Sequence, residues 1–239
     1  MKENKKLNFK TLNYYLEKNI KALMEDFFLY LNQEKIQIYN EFNIQHELGI
    51  FLRFYCRETK DYKIEFERNI DDLNLIYKDK IKKEIDIYIT NGKKQYAIEL
   101  KYPSIKKDKN GTFRPNGAFN QAMYECIRDI KFMETLTVEN NFKTFSIVIV
   151  NSIASNFYDW PIDRNNKAHE IYSYFRGSRD GKKSGFVSIP VNKSIKYPNK
   201  NNDRSIKLEG KNNKKKEYTA EWKPWNIGKL NGKYYIIEL

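Results

Sequence analysis

The chain has 239 residues, 44 Lys and Arg against 31 Asp and Glu, and a formal net charge of +13 at pH 7. With 40% hydrophobic and 15% aromatic residues it carries enough apolar material for one sizeable core, which excludes a disordered chain. No apolar run approaches a membrane span and Met1-Lys2-Glu3-Asn4 opens no signal peptide, so a cytoplasmic protein with no membrane partner is expected. Cys56 and Cys126 lie far apart without metal-ligand spacing, which fits buried thiols in a reducing compartment. The cationic surplus points to a polyanionic partner, most simply nucleic acid. A chain this rich in Lys, Asn and Ile also drifts basic through an AT-rich coding sequence, with no partner at all.

From Thr11 to Leu31 the residues Leu12, Tyr15, Leu16, Ile20, Leu23, Phe27 and Leu31 recur at helical spacing and predict one amphipathic helix. A second helix is expected over Glu41 to Tyr55, with Phe42, Leu48, Phe51, Leu52 and Tyr55 on its apolar face. Glu47 lies in its middle. It is a solvated helix residue unless that helix packs beside the elements that follow, in which case it becomes a third acid. Tyr62 to Ile70 alternates apolar and charged residues and reads as a strand.

The stretch Lys83 to Pro103 reads as two short strands joined by Asn91-Gly92, residues that tolerate positive φ and so favour a tight hairpin. A two-residue turn there pairs Thr90 with Lys93 and sets Asp86 opposite Ala97 and Glu84 opposite Glu99. Side chains alternate faces with period two, so Ile85, Ile87 and Ile89 then share a face with Tyr96, Ile98 and Leu100. Asp86, Glu99 and Lys101 share the other, the two acids being diagonal neighbours roughly 6–8 Å apart. Two carboxylates at that separation repel unless a cation lies between them. A hard divalent ion with oxygen ligands is the natural occupant, and Lys101 is placed to touch whatever the ion holds.

After Pro103, Ser104 to Gly117 is a polar loop long enough to contact a substrate. Ala118 to Leu136 predicts a helix with Phe119, Met123, Ile127, Ile130 and Met133 on one side. Gln121, in its first turn, either points at the site or is an ordinary surface glutamine. Thr144 to Asn151 is a continuous apolar run expected of a buried central strand. Ala168 to Phe175 predicts a short helix bearing His169, a surface or capping histidine by default. His46 has no companion at zinc-ligand spacing.

Lys193 to Asn202 and Lys211 to Lys216 read as loops. Ser205 to Leu208, Tyr218 to Trp222 and Tyr234 to Leu239 read as strands, with Asn231-Gly232 as a second hairpin turn. Trp160, Trp222 and Trp225 in this basic third are core residues, or else platforms on a lobe facing the substrate.

An acid two residues before a lysine is cheap in so basic a chain, recurring at Glu58-Lys60, Asp61-Lys63, Asp129-Lys131 and Glu221-Lys223 among others. Glu99-Leu100-Lys101 differs by ending an apolar strand whose hairpin partner presents Asp86 on the same face. In this arrangement the stretch resembles the PD-(D/E)XK nuclease superfamily, which places one acid on a strand and Glu-x-Lys on the next. Asp86 matches the first acid, with Ile85 in place of the proline often found before it. Glu99 and Lys101 match the second acid and the lysine. Glu47 falls where many members carry a further acid on the preceding helix, and Gln121 where some carry a glutamine on the following one.

The resemblance covers roughly Glu41 to Asn151. It implies an α/β fold with a restriction-endonuclease-like αβββαβ core at about 41–151, a central mixed sheet flanked by helices, and a β-rich extension at about 152–239, all in one domain. It implies one or two Mg²⁺ ions, with Mn²⁺ able to substitute, held by Asp86, Glu99, the Leu100 carbonyl and Glu47. Asp86, Glu99, Lys101, Glu47 and Gln121 are then the candidate catalytic residues. The implied activity is endonucleolytic cleavage of double-stranded DNA, of type II restriction or defence type, with a homodimer placing two sites across the duplex. Two other readings compete: a non-cleaving nucleic-acid-binding protein with the same fold, and a basic structural protein whose charged hairpin face is open to solvent.

Overall fold

A computed structural model of the chain describes residues 9–73, 75, 84–103, 105–107, 109, 113–115, 119–158, 169–176, 185–198, 204–210 and 215–239. The expected N-terminal helix is broken in two. A π-helical turn at Tyr14–Lys18 ends at Asn19, whose backbone (φ −156°, ψ 79°) leaves the helical region and whose side chain caps Ala22. Helix α1, Ile20–Gln33, starts afresh there. Helix α2, Glu41–Ile50, is capped by the Asn40 side chain and runs into a π-helical turn at Phe51–Tyr55. Leu48, Phe51 and Leu52 are buried as expected, whereas Phe42 is 72% exposed and does not join the apolar face.

Six strands form the central sheet: β1 (Lys63–Asn69), β2 (Glu84–Thr90), β3 (Gln95–Lys101), β6 (Lys143–Asn151), β11 (Lys223–Ile227) and β12 (Leu230–Glu238). Their order is β1-β2-β3-β6-β12-β11, and only β3 and β6 run parallel, joined through helix α3 (Phe119–Asn140). β6 lies between β3 and β12, which is why its sequence is apolar throughout. Its residues divide by parity. Phe145, Ile147 and Ile149 enter a core with α1 and α2, while Val148 and Val150 enter a core with α3 and helix α4 (His169–Arg176). The result is a mixed sheet with helices on both faces.

The C-terminal third does more than append to this core, because β11 and β12 complete the central sheet. Its remaining strands, β7 (Phe186–Pro190) with β10 (Glu217–Glu221) and β8 (Ser194–Lys196) with β9 (Ser205–Lys207), form two small sheets. β8 therefore occupies part of the segment expected to be loop. The turn between β11 and β12 is Gly228-Lys229, with Gly228 at φ +58°, and not Asn231-Gly232. Gly232 lies inside β12, where a Cβ would come within 1.9 Å of the Val150 carbonyl oxygen. Trp222 and Trp225 are buried core residues, each donating its indole N–H to a backbone carbonyl, of Phe175 and Val150 respectively. Trp160 lies outside the described residues, and of His169 only the backbone is described.

The segment after Pro103 contains two short paired strands, β4 (Ile105–Lys107) and β5 (Phe113–Pro115), in place of a plain loop; its remaining residues, apart from Lys109, are not described. Cys56 and Cys126 are buried thiols. No helix among the described residues is long and apolar enough to cross a membrane.

Candidate active site

The hairpin closes with a longer loop than its Asn-Gly spelling suggests. Thr90 pairs with Gln95 and Tyr88 with Ala97, leaving Asn91 to Lys94 as the loop. The Asn91 side chain accepts the N–H groups of Lys93 and Lys94 in an Asx turn, which absorbs the extra residues. The register is therefore displaced by two residues from the expected one, and Asp86 comes level with Glu99 instead of Ala97.

Displacement by two preserves parity, but the alternation fails at Asp86 itself. The β2–β3 ladder ends at Ile87 and Ile98. Ile87 and Ile89 pack toward α1 and α2, while Ile85 joins Phe132, Met133 and Leu136 in a core with α3, so the three isoleucines do not share a face. On the other side of β2, Glu67 drops out of the β1–β2 ladder with φ +48°. The strands part at this point, and acid side chains satisfy the freed backbone. Asp86 Oδ2 accepts the N–H of Leu100 at 2.8 Å, and Glu99 Oε1 accepts the N–H of Asp86 at 3.2 Å. Both acids are buried, Asp86 at 8% exposure and Glu99 at 1%, so the hairpin does not present a solvated charged face.

Helix α2 delivers two more polar groups here. Glu41, in its first turn, accepts the N–H of Tyr102 at 2.9 Å and lies 3.2 Å from Lys101 Nζ. Gln45, one turn later on the same side, donates to Glu67 Oε1 at 2.5 Å and to the Asp86 carbonyl at 2.7 Å. Gly49 continues that side, so α2 sits close on β1; a Cβ there would meet the Phe66 ring at 1.8 Å. From α3, Asp129 reaches Lys101 Nζ at 3.6 Å. The splayed strand end thus gathers Glu41, Glu67, Asp86, Glu99 and Asp129 around Gln45 and Lys101, in a chain whose net charge is +13.

The electrostatics follow from that crowding. Loss of solvent raises the pKa of Glu41 above the usual carboxylate value, and the charge of Asp86 adds to this, against the pull of Lys101 and the Tyr102 N–H. Burial works to lower the pKa of Lys101, but Asp129 and Glu41 outweigh it and carry it above the ordinary lysine value. Lys101 is therefore an ammonium at neutral pH.

Two expected residues stand elsewhere. Glu47 accepts from the Tyr30 hydroxyl at 3.1 Å and lies beside His46, facing α1. Six residues past Glu41, it is turned about 240° around the helix axis, whereas Gln45 is turned only about 40°. Gln121 stands at the start of α3, where its N–H is held by the Asn120 side chain, about two turns before Asp129. Glu41 and Asp129 are thus the residues that α2 and α3 bring to Lys101. Each left a trace in the sequence: Asp129 is an acid set among the apolar residues of α3, and Glu41 shares a side of α2 with Gln45.

For a divalent ion the donor chemistry is suitable: Asp86, Glu99 and Glu41 offer hard carboxylate oxygens, and Leu100 follows Glu99 with its N–H on Asp86. Among the described residues no three His, Cys, Asp or Glu side chains converge as a ready-made metal cluster. Compared with family models, with curated proteins and with solved structures, the chain has no match.

Proposed function

We propose that this chain is a Mg²⁺-dependent endonuclease of the PD-(D/E)XK type, hydrolysing phosphodiester bonds of double-stranded DNA in restriction or defence. The observation that carries the reading is the strand end where β2 and β3 part, with Asp86 and Glu99 buried side by side and, two residues beyond Glu99, the Lys101 ammonium held by Glu41 and Asp129. Buried acids are costly, and a basic chain that buries Asp86 and Glu99 in contact at one strand end has a reason other than stability. The order α2-β1-β2-β3-α3-β6 supports a restriction-endonuclease-like core. The charge of +13 supports a polyanionic substrate.

In this reading Asp86, Glu99 and the Leu100 carbonyl hold the ion, and Glu41 takes the part that the resemblance implied for Glu47. When bound, Mg²⁺ makes a water acidic enough to attack and offsets charge on the phosphate. Lys101 donates a hydrogen bond to the scissile phosphate or to the attacking water and offsets developing negative charge. Gln45 steadies the first acid through its backbone carbonyl.

Incubation with plasmid and genomic DNA, with Mg²⁺ and with EDTA, tests the reading. Cleavage that needs the metal and disappears in Asp86→Ala, Glu99→Ala and Lys101→Ala is expected. Cleavage that survives all three substitutions, or metal-independent DNA binding with no cleavage of any substrate, would discard it; the second outcome favours a pure binding protein.

A further inference from the structure

We propose that Asp129 is a positioning residue that anchors the Lys101 ammonium from α3 while Glu41 and the strand acids are engaged with other cations. The inference rests on the nuclease reading for what Lys101 does, and on geometry alone for how it is held. Asp129 is 2% exposed, and its neighbours along α3, Cys126, Ile130, Phe132 and Met133, are buried as well. Withdrawing a carboxylate from water into such a place costs several kcal/mol unless a cation repays it, and Lys101 Nζ at 3.6 Å is that cation.

The two carboxylates on Lys101 are not equivalent. Glu41 has a side chain 39% exposed and divides itself between Lys101 and the Tyr102 N–H, so a substrate or an ion can draw it away. Asp129 is sealed. Cys126 on its own helix and Tyr235 on β12, both fully buried, are near enough to feel its charge. The lysine stem is long and freely rotating, and fixing its end-group is what positions a donor for the transition state.

The test uses Asp129→Asn, which keeps shape and one oxygen, with Lys101→Ala and the double variant. Expected are a kcat at least 30-fold lower with KM within threefold, and a double variant no slower than Lys101→Ala alone. A second readout needs no catalysis: acylation of Lys101 by an amine-selective reagent, quantified by peptide mass spectrometry against exposed Lys63. Lys101 should acylate at least tenfold more slowly than Lys63 in the wild type and in Glu41→Gln, and at least fivefold faster in Asp129→Asn than in the wild type. If Asp129→Asn does not fold, the Glu41→Gln labelling decides, because loss of protection there assigns the anchor to Glu41. Multiplicative kinetic losses, or labelling unchanged in Asp129→Asn, overturn the proposal. A wild type that cuts no DNA while the labelling pattern holds removes the nuclease reading and leaves the anchor standing.

Discussion

Substituting Glu134 measures how firmly the C-terminal third is fixed to the helix that carries Asp129. Glu134 is 3% exposed on α3, and its carboxylate accepts the N–H of Glu209 at 3.0 and 3.1 Å, the N–H of Gly210, and the hydroxyl of Tyr218 at 2.8 Å. Lys131 Nζ lies 3.4 Å away. In Glu134→Gln one oxygen becomes an NH₂ that faces backbone N–H donors, so at least one of them loses its acceptor and Lys131 loses a buried partner. Charge-assisted hydrogen bonds contribute about 1.5–3 kcal/mol each, and breaking a buried pair from one side costs about 3–5 kcal/mol. The donors share one carboxylate and their losses do not add, so a total of about 3–4 kcal/mol is expected. For a chain of this size that lowers Tm by roughly 6–16 °C. The control is Glu209→Gln, whose side chain is 67% exposed in its pair with Lys131 and whose loss costs under about 1 kcal/mol. Thermal melts followed by circular dichroism and calorimetry read both. A Glu134→Gln protein melting within 2–3 °C of the wild type, about the shift of a single kcal/mol, would refute the argument that this carboxylate fixes the lobe.

Two further outcomes are expected. Glu41→Gln should reduce Mg²⁺-dependent cleavage by about 10²-fold or more and Glu47→Gln by less than about threefold, since only Glu41 meets Lys101; the reverse ranking would return the α2 acid to Glu47. Glu17 accepts from Lys94 at 2.7 Å and from Tyr96 at 2.6 Å, and these two hydrogen bonds lower its pKa below the usual carboxylate value. A depressed folded-state pKa contributes stability that is complete above the unfolded value and fades as pH falls through the folded one. The gap in Tm between wild type and Glu17→Gln, worth about 1 kcal/mol at pH 7, should therefore close on acidification below about pH 4. A gap constant from pH 7 to pH 3 would show that the carboxylate charge is irrelevant there.

Much of the architecture was legible because apolar periodicity is dictated by burial. The α2 helix, β1, the β2–β3 hairpin, α3 and the two-sided strand β6 follow from it within a few residues. What escaped was decided by polar side chains acting on the backbone. Asn19 breaks the N-terminal helix by capping Ala22, and Asn91 lengthens the hairpin loop by accepting two N–H groups. Neither act changes the apolar pattern that sequence reading relies on. The Asn231-Gly232 pair misled for a related reason: that glycine is required by the approach of Val150 and Trp225, and the turn falls to Gly228.

The candidate site divides in the same way. Asp86, Glu99 and Lys101 could be grouped from strand parity, and although alternation breaks at Asp86, the two-residue displacement of the hairpin leaves the two acids in contact. A register displaced by one residue would have sent one acid to the opposite face; a displacement by two moves the pair along the sheet and keeps it together. Helix residues have no such protection, because each position turns the side chain by about 100°. Assigning the α2 acid to Glu47 instead of Glu41 therefore lands on a different side of the helix, against Tyr30. Asp129 is hidden more deeply, since an acid two before a lysine is commonplace in this chain and only the packing of α3 on β3 separates it from the others. What distinguishes the cluster is where its charge is placed. Lys101 is held between carboxylates from two helices, and the neighbouring end of the β2–β3 hairpin buries two more acids, Asp86 and Glu99. An arrangement that costs stability at every member persists when the members act together, and that joint action is what the Lys101 and Asp129 double variant isolates.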